Sequence, residues 1–149
     1  ADPPTPATPG PTGSCQAGTD AGIGDGYKDG ALQKIQLCKV RGITVNAQVS
    51  GNLDRMIAAA AASGVKLTGG GFRTMESQRQ LYAAHCKGGK CSPPTARPGY
   101  SNHQMGLAID FGNCGNRGTA CYKWLAGNAR AYGFINFEKE PWHWSIDGK

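Results

Sequence analysis

Two imidazoles and two carboxylates, in two distant stretches, are the residues of this chain whose types and spacing could do chemistry. His103 and Asp110 lie seven positions apart with Gly106 between them, and Glu140 and His143 follow as Glu-x-x-His. Two histidines and one carboxylate that leave a position open, with a second carboxylate free beside them, are the parts of a catalytic zinc site. On that reading His103, Asp110 and His143 ligate the ion. Glu140 takes a proton from the attacking water and hands it to the departing group. Alone, Asp110 and His103 would make a hydrogen-bonded pair, and His143 between Trp142 and Trp144 would read as packed core. The four together point to a metal.

Such a site needs strands that bring the ligands to one place. The run Leu107-Ala108-Ile109-Asp110-Phe111 has the two-residue period of a strand, with Leu107, Ile109 and Phe111 on one face and Ala108 and Asp110 on the other. A carboxylate in that apolar setting is costly unless paired, and a cation would pair it. Residues 142–146 predict a second strand, starting after Pro141 because proline cannot donate to a ladder. Both Trp rings would face the core, with His143 and Ser145 on the opposite side and Glu140 on the loop at the strand's mouth.

Upstream, the stripe Leu53, Met56, Ile57 and Ala60 predicts a helix over 53–63, capped by Asn52 or Ser50 and stopped by Gly64. Residues 65–68 read as a strand and Gly69-Gly70-Gly71 as a tight turn, since that run lacks the spacing and ending of a phosphate loop. Arg73 then falls at a strand-to-helix junction, where side chains often aim into a cleft, and a helix with Glu76 in its first turn runs to about His85. His85 reads as an exposed structural residue. A helix over 121–132 ends at Gly133, and strands follow at 134–137 and 142–146. Residues 32–49 suit a strand or two, whereas 15–31 read as glycine-rich loop and 1–14 as a disordered Pro/Thr-rich lead. The expected domain is therefore residues 15–149. Its fold class is α+β: a small, mostly antiparallel sheet with helices on one side and zinc on the open face.

The pattern Ser101-x-His103-x-x-Gly106-x-Ala108-x-Asp110 followed by Glu140-Pro141-Trp142-His143 resembles the signature of the D-alanyl-D-alanine carboxypeptidase family of zinc peptidases. That family shares a fold group with lysostaphin-type enzymes and the hedgehog signalling domain. The resemblance runs from about residue 51 to 146. It implies the same α+β fold and a zinc peptidase acting on peptidoglycan stem peptides, with terminal D-Ala removal the leading activity. It also implies that Arg73 holds the substrate carbonyl, its charge suiting an oxyanion, and that Gln78 and Ser101 bind substrate. Glu-x-x-His selects Glu140 over Glu138, which reads as a surface charge. Asn102 stands where relatives often carry an acid, a departure that bears on substrate contacts. Two alternatives are an endopeptidase cutting stem or cross-bridge bonds and, in another class, a non-catalytic wall-binding module on the same fold.

With 149 residues the chain can bury one core. It has no apolar run long enough to span a membrane. Six cysteines without a CxxC point to disulfides and an oxidising compartment. Of the possible pairings, proximity favours Cys86–Cys91 and Cys114–Cys121, leaving Cys15–Cys38. The chain shows no charged n-region and apolar h-region at its start, so it reads as a mature secreted product. The net charge of +6 favours anionic partners. Because the basic residues are scattered and no recognition motif appears, an anionic cell wall is expected rather than nucleic acid. A monomer is expected.

Overall fold

The computed structural model describes residues 7–149, and part of the proline-rich lead, residues 1–6, lies outside the described residues. Residues 7–14 form no helix or strand, but they lie on the first helix of the chain. Gly10 N–H donates to the Gln48 carbonyl at 2.7 Å, and Asn52 Nδ2 donates to the Thr8 carbonyl at 3.2 Å.

Strands β1 (Thr19–Lys28) and β2 (Ala31–Val40) form an antiparallel hairpin, and β3 (Ile43–Asn46) extends it to a sheet of order β1-β2-β3. The expected glycine-rich loop over 15–31 is thus largely a ten-residue strand. Gly24 and Gly26 erase the side-chain alternation because their face has no room. A Cβ on Gly24 would lie 2.6 Å from Leu37 Cδ1, and one on Gly26 would lie 3.0 Å from Met105 Sδ.

Helix α1 (Ala47–Ala62) starts earlier than the sequence stripe predicts, with Asn46 as N-cap, its side chain accepting from Gln48 N–H at 3.0 Å. Its first turns are made of small, buried residues (Ala47, Ser50, Gly51), which carry little hydrophobic signal but allow close packing. Residues 65–68 form no strand. The pairing falls instead to β4 (Gly69–Gly70), where Gly69 opposes Phe111 and Gly70 opposes Asp110. A Cβ on Gly69 would lie 2.1 Å from the Asp110 carbonyl oxygen, so the triple glycine is a close approach of strands rather than a tight turn.

Helix α2 (Met75–His85) is capped by Thr74, whose side chain accepts from Ser77 N–H. The short hairpin β5 (Cys86–Lys87) and β6 (Lys90–Cys91) follows. A 3-10 turn over Asn102–Met105 leads into β7 (Ala108–Phe111), and α3 (Ala120–Asn128) gives way to a second 3-10 turn, Ala129–Tyr132. The expected helix over 121–132 is therefore two elements. Two shorter strands, β8 (Ile135–Asn136) and β9 (His143–Ser145), close a second antiparallel sheet of order β4-β7-β9-β8.

The fold is α+β. Its core joins Val40 and Val45 of the first sheet, Leu53 and Met56 of α1, Ile109 and Phe111 of β7, and Leu125, Phe134 and Trp144. Trp144 is buried, as expected of the C-terminal strand, but Trp142 precedes the strand and is only half-buried at the rim of the core. Ala108, on the face assigned to Asp110, is fully buried. All six cysteines are paired, as Cys15–Cys38, Cys86–Cys91 and Cys114–Cys121. No helix among the described residues is long and apolar enough to cross a membrane.

Candidate metal and catalytic site

Sheet register brings the first two donors together. Asp110 on β7 pairs directly with His143 on β9, so both side chains rise from the same face of adjacent antiparallel strands. His103 arrives from the 3-10 turn ahead of β7, which Ser101 caps by accepting from His103 N–H at 3.2 Å. Gly106 ends that turn in the left-handed conformation, at φ +67°, and reverses the chain into β7.

Three atoms converge. Asp110 Oδ1 lies 3.0 Å from His143 Nδ1 and 3.1 Å from His103 Nε2, and the two ring nitrogens are 3.2 Å apart. The far ring nitrogen of each histidine faces a main-chain carbonyl: His103 Nδ1 faces Gly71 at 2.7 Å, and His143 Nε2 faces Lys149 at 2.7 Å. Carbonyls only accept, so these nitrogens carry the N–H. When neutral, as metal-binding imidazoles must be, the two rings therefore turn lone pairs toward each other and toward the Asp110 carboxylate. Lone pairs at this separation repel unless a cation lies among them. A tetrahedral zinc ion about 2.0–2.1 Å from each ligand would separate neighbouring donors by about 3.3 Å, so the triangle suits zinc in both chemistry and size.

The electrostatics agree with that reading. Burial by itself would raise the Asp110 pKa, but hydrogen bonds from His103 and His143 and the charge on those rings hold it well below the usual carboxylate range. Burial opposes a charge on His143, yet the hydrogen bond and charge of Asp110, the Lys149 carbonyl and Glu140 together raise its pKa.

Glu140 stands over this triangle, its Oε1 3.8 Å from His143 Nδ1. Its backbone is fixed on a tight turn. Glu140 N–H donates to the Phe137 carbonyl, and the Glu140 carbonyl accepts from His143 N–H at 3.1 Å and Asn136 Nδ2 at 2.9 Å. Burial, and after it repulsion from Asp110, raises the Glu140 pKa, while His143 and Arg73 pull it down. A carboxylate made more basic is better suited to take up a proton near neutral pH. Glu138 is exposed, as expected of a surface charge.

Arg73 follows the triple glycine. Phe72 N–H binds the Thr44 carbonyl at 2.7 Å and Arg73 N–H binds the His103 carbonyl at 2.9 Å, which fixes its direction. Its guanidinium lies 3.5 Å from Asp110 Oδ2 and donates to Gln78 Oε1 at 2.9 Å. Burial lowers its pKa, the charges of Asp110 and Glu140 counter that, and an arginine keeps its charge in either case.

Gln78 is only 1% exposed, and its Nε2 is engaged with the Ala96 carbonyl at 2.8 Å. It therefore borders the cleft chiefly as the support of Arg73. His85 is half-buried, its Nδ1 2.9 Å from Thr95 Oγ1, and it lines the same cleft without a hydrogen bond to any of the three donors.

A cleft of about 1030 Å³ opens over these groups, and Tyr100, Ser101, Met105, Phe137 and Trp142 are among the residues that line it. Residues that the motif reading passed over support it from behind. Fully buried Gln104 accepts from Gly99 N–H at 2.7 Å and so ties the 95–101 loop to the His103 turn. Its place inside the Ser101–Asp110 motif was the available signal. Gly71 contributes only a carbonyl, which no side-chain pattern reveals.

Comparison with known proteins agrees with the geometry. The family described as VanY, D-alanyl-D-alanine carboxypeptidase, matches residues 42–149. A D-alanyl-D-alanine carboxypeptidase of Enterococcus faecalis is 29% identical over 133 residues, covering 72% of this chain and 50% of its own length. The chain thus spans about half the length of that relative. Among solved structures, a mutant of the vancomycin-resistance D,D-pentapeptidase VanY in complex with Zn(II) is 29% identical with a TM-score of 0.57, covering 74% of this chain and 79% of the other. The LD-carboxypeptidase LdcB is 28% identical with a TM-score of 0.61, covering 85% of this chain and 68% of the other.

Proposed function

Since the chain belongs to the VanY family of D-alanyl-D-alanine carboxypeptidases, we propose that it is a zinc peptidase that removes the terminal D-Ala from peptidoglycan stem peptides. The observation that carries this reading is the triangle of His103, Asp110 and His143 donors with Glu140 on one flank and Arg73 on another. When bound, zinc would supply a Lewis acid and a water acidic enough to attack at neutral pH. Glu140 takes the proton of the attacking water and passes it to the leaving D-alanine nitrogen, so one carboxylate serves as base and then as acid. Arg73, held by Gln78 and Asp110, offers its remaining N–H groups to the oxygen that becomes negative as the peptide carbonyl turns tetrahedral. Ser101 lines the cleft beside His103 and is available to the substrate backbone.

The three disulfides support a secreted protein working in an oxidising compartment. The net charge of +6 suits an anionic wall. Digestion of muropeptides with and without a chelator, read by mass spectrometry, tests the proposal. Loss of single alanines that stops on chelation and returns with zinc supports it, and no chelator-sensitive cleavage refutes it. An endopeptidase is the second reading, favoured by the length of the cleft, which reaches past the donors to Tyr27 and Lys28 at the hairpin tip. It predicts cross-linked dimers cut into monomers in the same digest.

A further inference from the structure

The ring of His143 is oriented by a small polar clamp that the reaction itself does not use. Its Nε2–H donates to the Lys149 carbonyl at 2.7 Å, and this places Nδ1 toward Asp110 and His103. The carbonyl is fixed from several directions. Asn102 Nδ2 donates to it at 3.2 Å and to Asp147 Oδ1 at 2.7 Å. Asp147 Oδ1 also accepts from Lys149 N–H at 3.1 Å and from Ser145 Oγ at 3.1 Å. Fully buried Ser145 accepts from Gly148 N–H at 2.9 Å and Lys149 N–H at 3.1 Å. Residues 145–149 thus fold into a compact turn whose carbonyl points at a ligand ring. Asn102, in the same turn as His103, ties that arrangement to the other histidine.

Resting on the zinc reading above, we infer that Asn102 and Asp147 are positioning residues for the metal: by holding the Lys149 carbonyl they fix which nitrogen of His143 faces the ion. An imidazole free to rotate or change tautomer presents the wrong nitrogen part of the time. It must be reoriented each time zinc binds, which weakens affinity without removing a ligand. The departure at Asn102 fits this role. An amide can donate to two oxygens at once, which a carboxylate in its place could not.

The test is zinc affinity, measured with zinc alone in competition with a chromophoric chelator, on the parent and on Asn102→Ala, Asp147→Ala and Asp147→Asn. Both alanine variants are expected to bind about 10- to 100-fold more weakly, with unchanged melting of the chelated proteins. Asp147→Asn is expected to stay near the parent, because its amide oxygen still accepts. Parent-like affinity in both alanine variants overturns the inference while leaving the zinc reading intact, and a parent that binds no zinc removes both. Where an alanine variant fails to fold, the imidazole nitrogen spectrum of the zinc-loaded parent decides. His143 with metal on Nδ1 and a proton on Nε2 supports the clamp, and the reverse pattern overturns it.

Discussion

Gly106 is where a single methyl group should disturb the site most without touching a donor. It sits between His103 and Asp110 at φ +67°, and a Cβ there would lie 2.6 Å from Asn46 N and 3.2 Å from Val45 C. Those atoms are backbone and cannot swing aside. Asn46 N–H donates to the Gly106 carbonyl at 2.9 Å, Asn46 Nδ2 donates to the Met105 carbonyl at 3.0 Å, and Asn46 also caps α1. In Gly106→Ala the left-handed backbone alone costs about 1–2 kcal/mol. Parting the two chains adds about 1–3 kcal/mol for a buried hydrogen bond left unmade. For a domain of this size the melting temperature should fall on the order of 10 °C, with about 2–4 °C for each kcal/mol. Gly64→Ala is the matched control, because Gly64 is also left-handed, at φ +79°, but a Cβ there meets nothing within 4 Å. It should lose only the conformational part. The assay is thermal melting of the chelated, disulfide-intact proteins, with zinc affinity measured alongside. Equal losses in the two variants would refute the close-approach argument, as would parent-like zinc affinity in Gly106→Ala.

Glu140→Gln should keep zinc bound, because no ligand is lost, while turnover falls by about 10²–10⁴-fold; near-normal rates would reassign the base. Arg73→Ala should lower kcat by about 10²–10³-fold, and Arg73→Lys should restore little, because an ammonium cannot engage Gln78, Asp110 and a carbonyl oxygen together. Steady-state kinetics on a D-Ala-D-Ala peptide read both. The chelated protein should be most stable in mild acid. The lowered Asp110 pKa gives stability that is present above about pH 4 and lost as pH falls, and the raised His143 pKa gives stability that is present below about pH 6.5 and lost as pH rises through its folded value. Zinc needs both rings deprotonated, so the gap in melting temperature between loaded and chelated protein should widen from about pH 5 to about pH 8; a constant gap would mean the rings do not face the ion.

What the sequence made legible was chemistry carried by side chains at fixed spacing. His103, Asp110, Glu140 and His143 could be identified because few arrangements of such groups are stable without a cation. Arg73 could be placed because a strand-to-helix junction limits where a long side chain goes. Two disulfides followed from short separations, and Cys15–Cys38 was the pair that remained. Hydrophobic periodicity misled where small residues do the packing: β1, with Gly24 and Gly26 against Leu37 and Met105, and the start of α1, with Ala47, Ser50 and Gly51. Periodicity measures burial through side-chain size, and these contacts work because there is almost no side chain.

The larger gap concerns groups that have no side-chain identity at all. His103 turns Nε2 toward the other donors and His143 turns Nδ1, two different ring nitrogens chosen by two backbone carbonyls, Gly71 and Lys149. A Cβ at Gly71 would lie 2.3 Å from the Thr44 carbonyl oxygen, so only glycine lets the main chain pass this close to β3 while its own carbonyl faces the His103 ring. In sequence the glycine run is indistinguishable from a turn. The candidate donors were therefore readable and their orientation was not: orientation depends on where the main chain passes, and the residues that govern its path are the ones with least chemistry of their own.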